Sequence, residues 1–268
     1  MAATSSSFGM DTSSKEALRR LEAYESAVCR IVVLDDKKGY VDCGTGFLIG
    51  PNLLMTCNHV IPDIATAEKC EFQFFKQNPS ENRSTGGSRS LPSYDYVKFD
   101  ASDPEKFLTS PSPNRDSQGH PTEATEGRLD YTILSLQKDP ALAGRTFFRL
   151  FESRVPELGH ISYLYQHPKV DSVDVALRVK FKGAFSRGAG SIVSVTSYEI
   201  HYTTPTAGGS SGSPVVNGEG DLIALHYQGG ISDGCRRPAG HEICNAGVIM
   251  KRIVESLGEA NCEKIKRR

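Results

Sequence analysis

The residues most capable of chemistry in this sequence are one serine, one histidine and one aspartate, each in a short motif. Ser211 lies in the stretch GGSSGSP (residues 208–214), which leads directly into an apolar segment. Glycines there let the backbone approach another molecule and point successive N–H groups into one concavity, as an oxyanion hole requires. The pattern favours a nucleophilic serine on an exposed turn over a flexible linker, because a linker would not normally run straight into a strand.

His59 stands near the end of the apolar run LLMTCNHVI (residues 53–61), which reads as the second strand of a hairpin. A serine hydroxyl is a poor nucleophile at neutral pH and needs a base such as histidine. Asp130 directly precedes the apolar strand pattern YTILSL (residues 131–136), where a buried carboxylate could fix the histidine tautomer and stabilise its imidazolium. Each residue alone is more often structural, but the three together predict nucleophilic catalysis.

Composition and charge narrow the possible partners. The 268 residues carry 31 Lys and Arg against 32 Asp and Glu, and 38% of them are hydrophobic. This balance gives no electrostatic reason to expect nucleic acid, and the apolar runs are too short to cross a membrane. Seven cysteines, an odd number, and an N-terminus without a signal peptide favour reduced thiols and an intracellular protein. We expect the cytoplasm, with the nucleus as the alternative, and the sequence leaves the oligomeric state open.

Short β-like segments separated by turn residues fill most of the chain, with helical patterns only near its two ends. This order predicts an all-β fold. We expect a flexible tail and short helix over residues 1–25, one β-domain over 26–152, and a second with a terminal helix over 153–268. Residues 77–127 are rich in proline and serine, which predicts a surface insertion that is not ordered throughout.

Four motifs in a fixed order resemble those of the trypsin-like (chymotrypsin-fold) serine peptidases, particularly the HtrA-like and glutamyl-endopeptidase-like members that are intracellular or bacterial. These motifs are GTGF (residues 44–47), TCNHV (56–60), DYTIL (130–134) and GSSGSP (209–214). The resemblance extends over roughly residues 26–255. It implies two packed six-stranded antiparallel β-barrels with the site between them.

The resemblance also implies a role for each site residue. Ser211 would be the nucleophile, His59 the general base and Asp130 the carboxylate that orients it. The backbone N–H groups of Gly209 and Ser211 would form the oxyanion hole. The expected function is a serine endopeptidase that acts on protein or peptide substrates without a cofactor or a metal.

Two departures from the family pattern bear on these roles. Ser210 occupies the position where zymogen-type members carry Asp, so activation by a new N-terminus is not expected. The segment between His59 and Asp130 is long, which leaves Asp95, Asp100 and Asp103 as alternative carboxylates, although none of them opens so apolar a strand.

The expected substrate pocket contains Thr206, His226, Gly229 and Gly247. The segment LHYQGG (residues 225–230) resembles the one in glutamyl endopeptidases and viral 3C-like peptidases whose histidine contacts a Glu or Gln side chain. A protonated or donor imidazole together with a hydroxyl suits an acid or amide at P1. Members that select Lys or Arg carry an acid where Pro205 stands here.

Several alternatives remain open at this point. Cys235, His241 and Cys244 could bind a metal, or Cys235 and Cys244 could form a disulfide. Arg236 and Arg237 could add positive potential beside the pocket or simply be solvated. The main alternative for the whole chain is a protease-like binding or regulatory module that has lost turnover.

Overall fold

The computed structural model describes eight segments of the chain, and all structural statements below concern those segments. They are residues 12–35, 39–76, 94–114, 127–169, 172–174, 179–181, 185–231 and 244–266. None of the helices in these segments is long and apolar enough to cross a membrane.

The first half of the chain forms one antiparallel sheet in the strand order β5-β4-β1-β2-β3-β7-β6. Its strands are β1 (Val28–Asp35), β2 (Gly39–Gly50), β3 (Leu53–Thr56), β4 (Cys70–Phe75), β5 (Tyr94–Val97), β6 (Leu108–Ser110) and β7 (Tyr131–Ser135). Every residue of β3 and β7 is buried, as their continuous apolar sequences predict for strands covered on both faces. The sheet therefore holds the segments that precede His59 and follow Asp130 side by side.

This first sheet curves back on itself just after β5. Phe99 forms an isolated bridge with Leu136, and the N–H of Gln137 donates to the carbonyl of Lys98 at 2.9 Å. The all-β prediction is confirmed. The first unit differs from a six-stranded barrel because seven described strands contribute to it and this short bridge closes it.

The second half contains a closed antiparallel barrel of six strands, as predicted, in the order β11-β12-β15-β14-β13-β8. Its members are β8 (Ile161–Gln166), β11 (Ser186–Val195), β12 (Glu199–Tyr202), β13 (Pro214–Val216), β14 (Leu222–Ile231) and β15 (Cys244–Ile249). A separate antiparallel pair consists of β9 (Ser172–Asp174) and β10 (Val179–Phe181). The barrel places His226 on β14 opposite Gly247 on β15.

Three α-helices accompany the strands: α1 (Thr12–Ala23), α2 (Ile64–Lys69) and α3 (Met250–Lys266). The sequence analysis did not predict α2, whose N-cap Asp63 accepts the N–H of Thr66 at 2.7 Å. Gly258 has φ +69° and interrupts α3, but helical turns resume after it.

The helix α1 packs against the second barrel. The hydroxyl of Tyr165 in the second barrel donates to the carbonyl of Leu21 at 2.7 Å, and Arg20 pairs with Asp221 at 2.9 Å. Just after α1, Tyr24 stacks on Phe148 with the ring centroids 4.0 Å apart. One hydrophobic core includes residues of α1, the first sheet and the second barrel.

Part of the predicted insertion belongs to the first sheet. Of the insertion 77–127, the described residues 94–114 contribute β5 and β6 to the first sheet, while the rest of that range lies outside the described residues apart from Gly127. The domain limits at residues 25 and 152 stay predictions.

The expectation of reduced thiols holds for most of the described cysteines. Cys29, Cys57, Cys70 and Cys262 form no disulfide. Cys244 is disulfide-bonded, and its partner lies outside the described side chains. The odd number of cysteines could not reveal this pairing, because an odd count requires only that at least one cysteine stays outside a disulfide.

Candidate active site

His59 lies on the turn that follows β3. The N–H groups of Val60 and Ile61 both donate to the carbonyl of Cys57 at 3.2 Å, which tightens this turn. The side chain of His59 is 40% exposed. The imidazole can therefore meet an incoming molecule while its backbone is held by the sheet.

Asp130 lies beneath His59 and is 1% exposed. Its Oδ2 lies 2.7 Å from Nδ1 of His59, and its Oδ1 accepts the backbone N–H of His59 at 3.0 Å. Oδ1 also accepts the hydroxyl of Ser112 at 2.8 Å. The structure therefore pairs His59 with Asp130, and the many donors suit a buried carboxylate.

The backbone of Asp130 is in a conformation that non-glycine residues rarely adopt, with φ +48°. Two backbone hydrogen bonds fix it: Asp130 N–H donates to Pro111 at 3.1 Å, and Asn58 N–H donates to the carbonyl of Asp130 at 3.1 Å. This strained turn points the carboxylate at His59 instead of continuing β7.

The alternative carboxylates have other partners. Asp95 pairs with Arg145 at 2.7 Å, Asp100 accepts the hydroxyl of Ser102 at 2.6 Å, and Asp103 pairs with Lys106. Among the described contacts, none of the three touches His59. Asp130 is the carboxylate that the structure places against the histidine.

Ser211 lies on a tight turn between two glycines with positive φ, Gly209 at +92° and Gly212 at +89°. A Cβ on Gly212 would overlap the carbonyl oxygen of Thr45, so only glycine fits there. Ser211 itself is half-buried. Among the described contacts, its hydroxyl makes no hydrogen bond to His59, whose ring bonds Asp130 instead.

The turns that carry His59 and Ser211 meet at one carbonyl group. The carbonyl of His226 accepts the N–H of Gly212 at 2.8 Å and the thiol of Cys57 at 3.2 Å. In addition, Thr45 on β2 donates its N–H to the carbonyl of Ser211 at 2.9 Å. These bonds bring three of the four predicted motifs, those that contain Thr45, His59 and Ser211, together where the first sheet meets the second barrel.

The two N–H groups expected to form an oxyanion hole belong to Gly209 and Ser211. Among the described contacts, neither N–H has an acceptor within the chain. The carbonyls on the other side of the same peptide bonds are bound: Gly208 accepts from Lys169 at 2.5 Å, and Ser210 accepts from Ser213 at 3.1 Å. Because a trans peptide points its N–H away from its C=O, these bonds set the direction of both N–H groups.

The predicted pocket residues lie along β14, β15 and the segment before Ser211. His226 is 2% exposed, and its Nδ1 lies 2.6 Å from the hydroxyl of Tyr202. Burial, aided by the nearby His59, lowers the pKa of His226 to about 3. The ring is therefore neutral near pH 7, and the expectation of a protonated imidazole is not supported.

Thr206 is half-buried, and its hydroxyl donates to Oδ1 of Asn245 at 2.7 Å. Gly229 is exposed. It lies close to these two side chains, because a Cβ on it would be 3.0 Å from an oxygen of each. Gly247 is buried against Ala224 and is not a pocket wall that faces solvent. Sequence reasoning missed Asn245, because a single asparagine on β15 gives no signal of its own.

Ser112 was also missed. It belongs to the segment that was predicted to be a surface insertion, and nothing in its local sequence distinguishes it from neighbouring serines. Only the fold brings it to Asp130.

The fold also brings three potential metal ligands together at this site, a grouping that the sequence did not predict. The potential ligand atoms of Cys57, His59 and Asp130 lie within 4.8 Å of one another. However, burial raises the pKa of the Cys57 thiol well above its usual range, and a metal on Nδ1 would displace the bond to Asp130. These groups therefore suit proton transfer better than metal binding. For the other possible site, Cys244 is in a disulfide, and Cys235 and His241 lie outside the described residues.

Comparisons with solved structures find the same fold elsewhere. The crystal structure of the M. tuberculosis protease Rv3671c in its active form aligns with a TM-score of 0.53 at 15% identity, covering 95% of this chain and 93% of that chain. The crystal structure of Deg5 aligns with a TM-score of 0.52 at 12% identity, covering 92% of this chain and 94% of that one. These similarities establish the fold alone.

Sequence comparisons identify two longer relatives. The uncharacterized protein y4fB of Sinorhizobium fredii is 30% identical over 210 residues, which are 76% of this chain and 28% of that protein. The secreted RxLR effector protein 73 of Plasmopara viticola is 26% identical over 212 residues, which are 76% of this chain and 45% of that protein. This chain thus matches less than half the length of either relative.

The decisive comparison is with protein-family models. The model of the trypsin-like peptidase domain matches residues 44–225, which run from β2 to β14 and include His59, Asp130 and Ser211. Since this match spans most of the chain and agrees with the fold, the chain belongs to the trypsin-like peptidase family.

Proposed function

We propose that this chain is a serine endopeptidase that hydrolyses peptide bonds through an acyl-enzyme. Ser211 is the nucleophile, His59 the general base and Asp130 the carboxylate that orients it. The observation that carries the proposal is the 2.7 Å contact between Nδ1 of His59 and the buried Oδ2 of Asp130, beside the Ser211 turn. Such a contact keeps a proton on Nδ1 and leaves Nε2 to accept the proton of a serine hydroxyl.

In the proposed reaction, the oxygen of Ser211 attacks the carbonyl carbon of the substrate while its proton passes to Nε2 of His59. The N–H groups of Gly209 and Ser211 stabilise the oxyanion that forms. The imidazolium then gives its proton to the leaving amine, which departs and leaves an acyl-enzyme. Water, activated by His59, attacks the ester, and collapse of the second intermediate returns the proton to Ser211.

The substrate preference that we propose is glutamine over glutamate at P1. Since His226 is neutral near pH 7, it cannot neutralise a P1 carboxylate. The hydroxyl of Thr206 donates its hydrogen to Asn245, so in the proposed pocket its oxygen can act only as an acceptor. An amide can donate to that oxygen, whereas a carboxylate would face it without a donor, and Arg236 and Arg237 lie outside the described residues.

The first experiment tests catalysis on the full chain. We expect an active-site fluorophosphonate probe to label Ser211 and a peptide library to be cleaved. The S211A and H59A variants should fold, yet show no hydrolysis. A folded wild-type chain that neither labels nor cleaves would contradict the proposal and favour the binding or regulatory module.

The second experiment tests the P1 preference with two peptides that differ only in Gln or Glu at P1. We expect the Gln peptide to be cleaved with a kcat/KM about 10–100-fold higher, because each unpaired polar contact costs about 1–3 kcal/mol. Thr206→Val removes the acceptor and should reduce this ratio, while Thr206→Ser should retain it. Equal rates, or a preference for Glu, would refute the glutamine assignment without affecting the catalytic one.

A further inference from the structure

Thr45 connects the first sheet to the Ser211 turn through its side chain as well as its backbone. It lies on β2, is 0% exposed and is part of the GTGF motif. Its hydroxyl donates to the carbonyl of Gly209 at 2.8 Å and accepts the backbone N–H of His167 at 2.9 Å. Its own carbonyl accepts the hydroxyl of Thr56 at 2.7 Å, which fixes Thr45 from the β3 side.

These bonds act on the residue whose orientation matters most for an oxyanion hole. Gly209 has φ +92° and no side chain, so its two peptide units can rotate more easily than those of other residues. The backbone N–H of Lys169 binds the carbonyl of Gly208, which belongs to the same peptide unit as the N–H of Gly209. Thr45 binds the carbonyl of Gly209, which belongs to the next unit, and its hydroxyl also holds His167, two residues before Lys169. Thr45 therefore acts on the Gly209 N–H indirectly, through the next peptide unit and through the segment that carries Lys169.

His167 and Lys169 follow β8, so the hydroxyl of Thr45 also ties that segment to the turn. A neighbouring hydrogen bond also joins two uncharged groups, because the hydroxyl of Ser210 donates to Oε1 of Gln166 at 2.6 Å. Among the described contacts, the turn is therefore held by uncharged hydrogen bonds, and Thr45 is the residue that brings the first sheet into this network through a side chain.

We propose that Thr45 is a positioning residue for the oxyanion hole, and this inference rests on the proposed function. Its hydroxyl makes the direction of the Gly209 N–H depend on the packing of the first sheet against the second barrel. A threonine at this position thus links the apposition of the two halves to the stabilisation of the transition state.

The test compares Thr45→Val, which keeps the shape and removes the hydroxyl, with Thr45→Ser, which keeps the hydroxyl. We expect T45V to lower kcat about 10–100-fold with KM changed less than threefold, since removing one oxyanion donor costs about 100–1000-fold and a misdirected donor costs less. T45S should recover most of kcat. T196V, which removes a hydroxyl that bonds Tyr198 and Glu199 in a distant turn, serves as a matched control for lost hydrogen bonds.

A second readout does not depend on turnover. Backbone NMR of the full-length chain should show faster amide hydrogen exchange at His167, whose N–H bonds the Thr45 hydroxyl, and shifted resonances at Gly209 and Ser210 in T45V, with core amides of β15 unchanged. The proposal is overturned if T45V keeps wild-type kcat and wild-type exchange, if T45S is as impaired as T45V, or if T45V exchanges faster throughout the core. If the wild-type chain itself proves inactive, the proposed function fails, while the NMR comparison still decides whether Thr45 fixes the Gly209 turn.

Discussion

Replacing Asp130 with asparagine removes one charge and, in this structure, also fixes which atom faces His59. Oδ1 of Asp130 accepts two donors, the backbone N–H of His59 and the hydroxyl of Ser112. The amide of an asparagine must therefore keep its oxygen on that side and turn its NH₂ group toward Nδ1 of His59. The histidine responds by moving its proton to Nε2, which then cannot accept the proton of Ser211.

The magnitude follows from two losses. The first is the charge-assisted bond between the carboxylate and the imidazolium, which is worth about 1.5–3 kcal/mol. The second arises because, in the tautomer that catalysis needs, Nδ1–H of His59 would face the NH₂ group of the asparagine, at a cost of about 1.5–3 kcal/mol. Together they raise the barrier by about 3–6 kcal/mol, which lowers kcat/KM about 10²–10⁴-fold.

The assay is peptide hydrolysis near pH 7.5, together with ¹⁵N NMR of His59 to identify the protonated ring nitrogen. Asp100→Asn is the matched control, since Asp100 bonds Ser102 and does not contact His59. We expect D130N to show the Nε2–H tautomer and D100N to stay within twofold of wild type. A D130N variant that folds and retains more than a tenth of the activity would refute this reasoning.

Three other changes have definite expected outcomes. Gly212→Ala should lower the free energy of unfolding by about 3 kcal/mol or more in urea titrations, because φ is +89° and the Cβ would overlap Thr45, whereas Gly218→Ala, which meets nothing within 4 Å, should not. His226 has a folded pKa of about 3 and an unfolded pKa near 6.5, so the unfolded state binds more protons in that window and stability is lost as pH falls. Between pH 7 and 4.5 this loss is about 2–3 kcal/mol, and denaturation of a His226→Asn variant should lack it. Ser112→Ala should lower kcat about 3–10-fold in the hydrolysis assay with KM unchanged, since one of three donors to the carboxylate is lost, and Ser112→Thr should restore it.

The sequence predicted the parts of this molecule whose signals are local. His59 and Asp130 flank apolar strands, and the glycines around Ser211 indicate a turn, so these residues could be found without a structure. The strands β3, β7 and β13 were likewise expected from their apolar runs. These features depend on short-range patterns and on backbone conformations that only certain residues adopt.

The remaining features depend on contacts between distant segments. The bond from Ser112 to Asp130 needs the fold of a segment that resembles a solvated loop, and the pair Thr206–Asn245 depends on how β15 lies in the barrel. We expected His226 to be protonated or to act as a hydrogen-bond donor. Its charge is decided by burial, which lowers its pKa to about 3, and burial is a property of the tertiary structure. No pattern in the sequence reports any of these.

The helix α1 has a consequence for any cleavage that separates it from the barrels. Leu21 bonds Tyr165 of the second barrel, and Tyr24, just after α1, packs on Phe148 and Tyr165, so residues 12–27 behave as a ligand that the chain itself supplies at high effective concentration. A cut in the backbone after residue 27 would turn this docking into a bimolecular event that dilution opposes. Such a nick would therefore loosen the two halves, which is the reverse of what N-terminal processing does in proteins that it switches on.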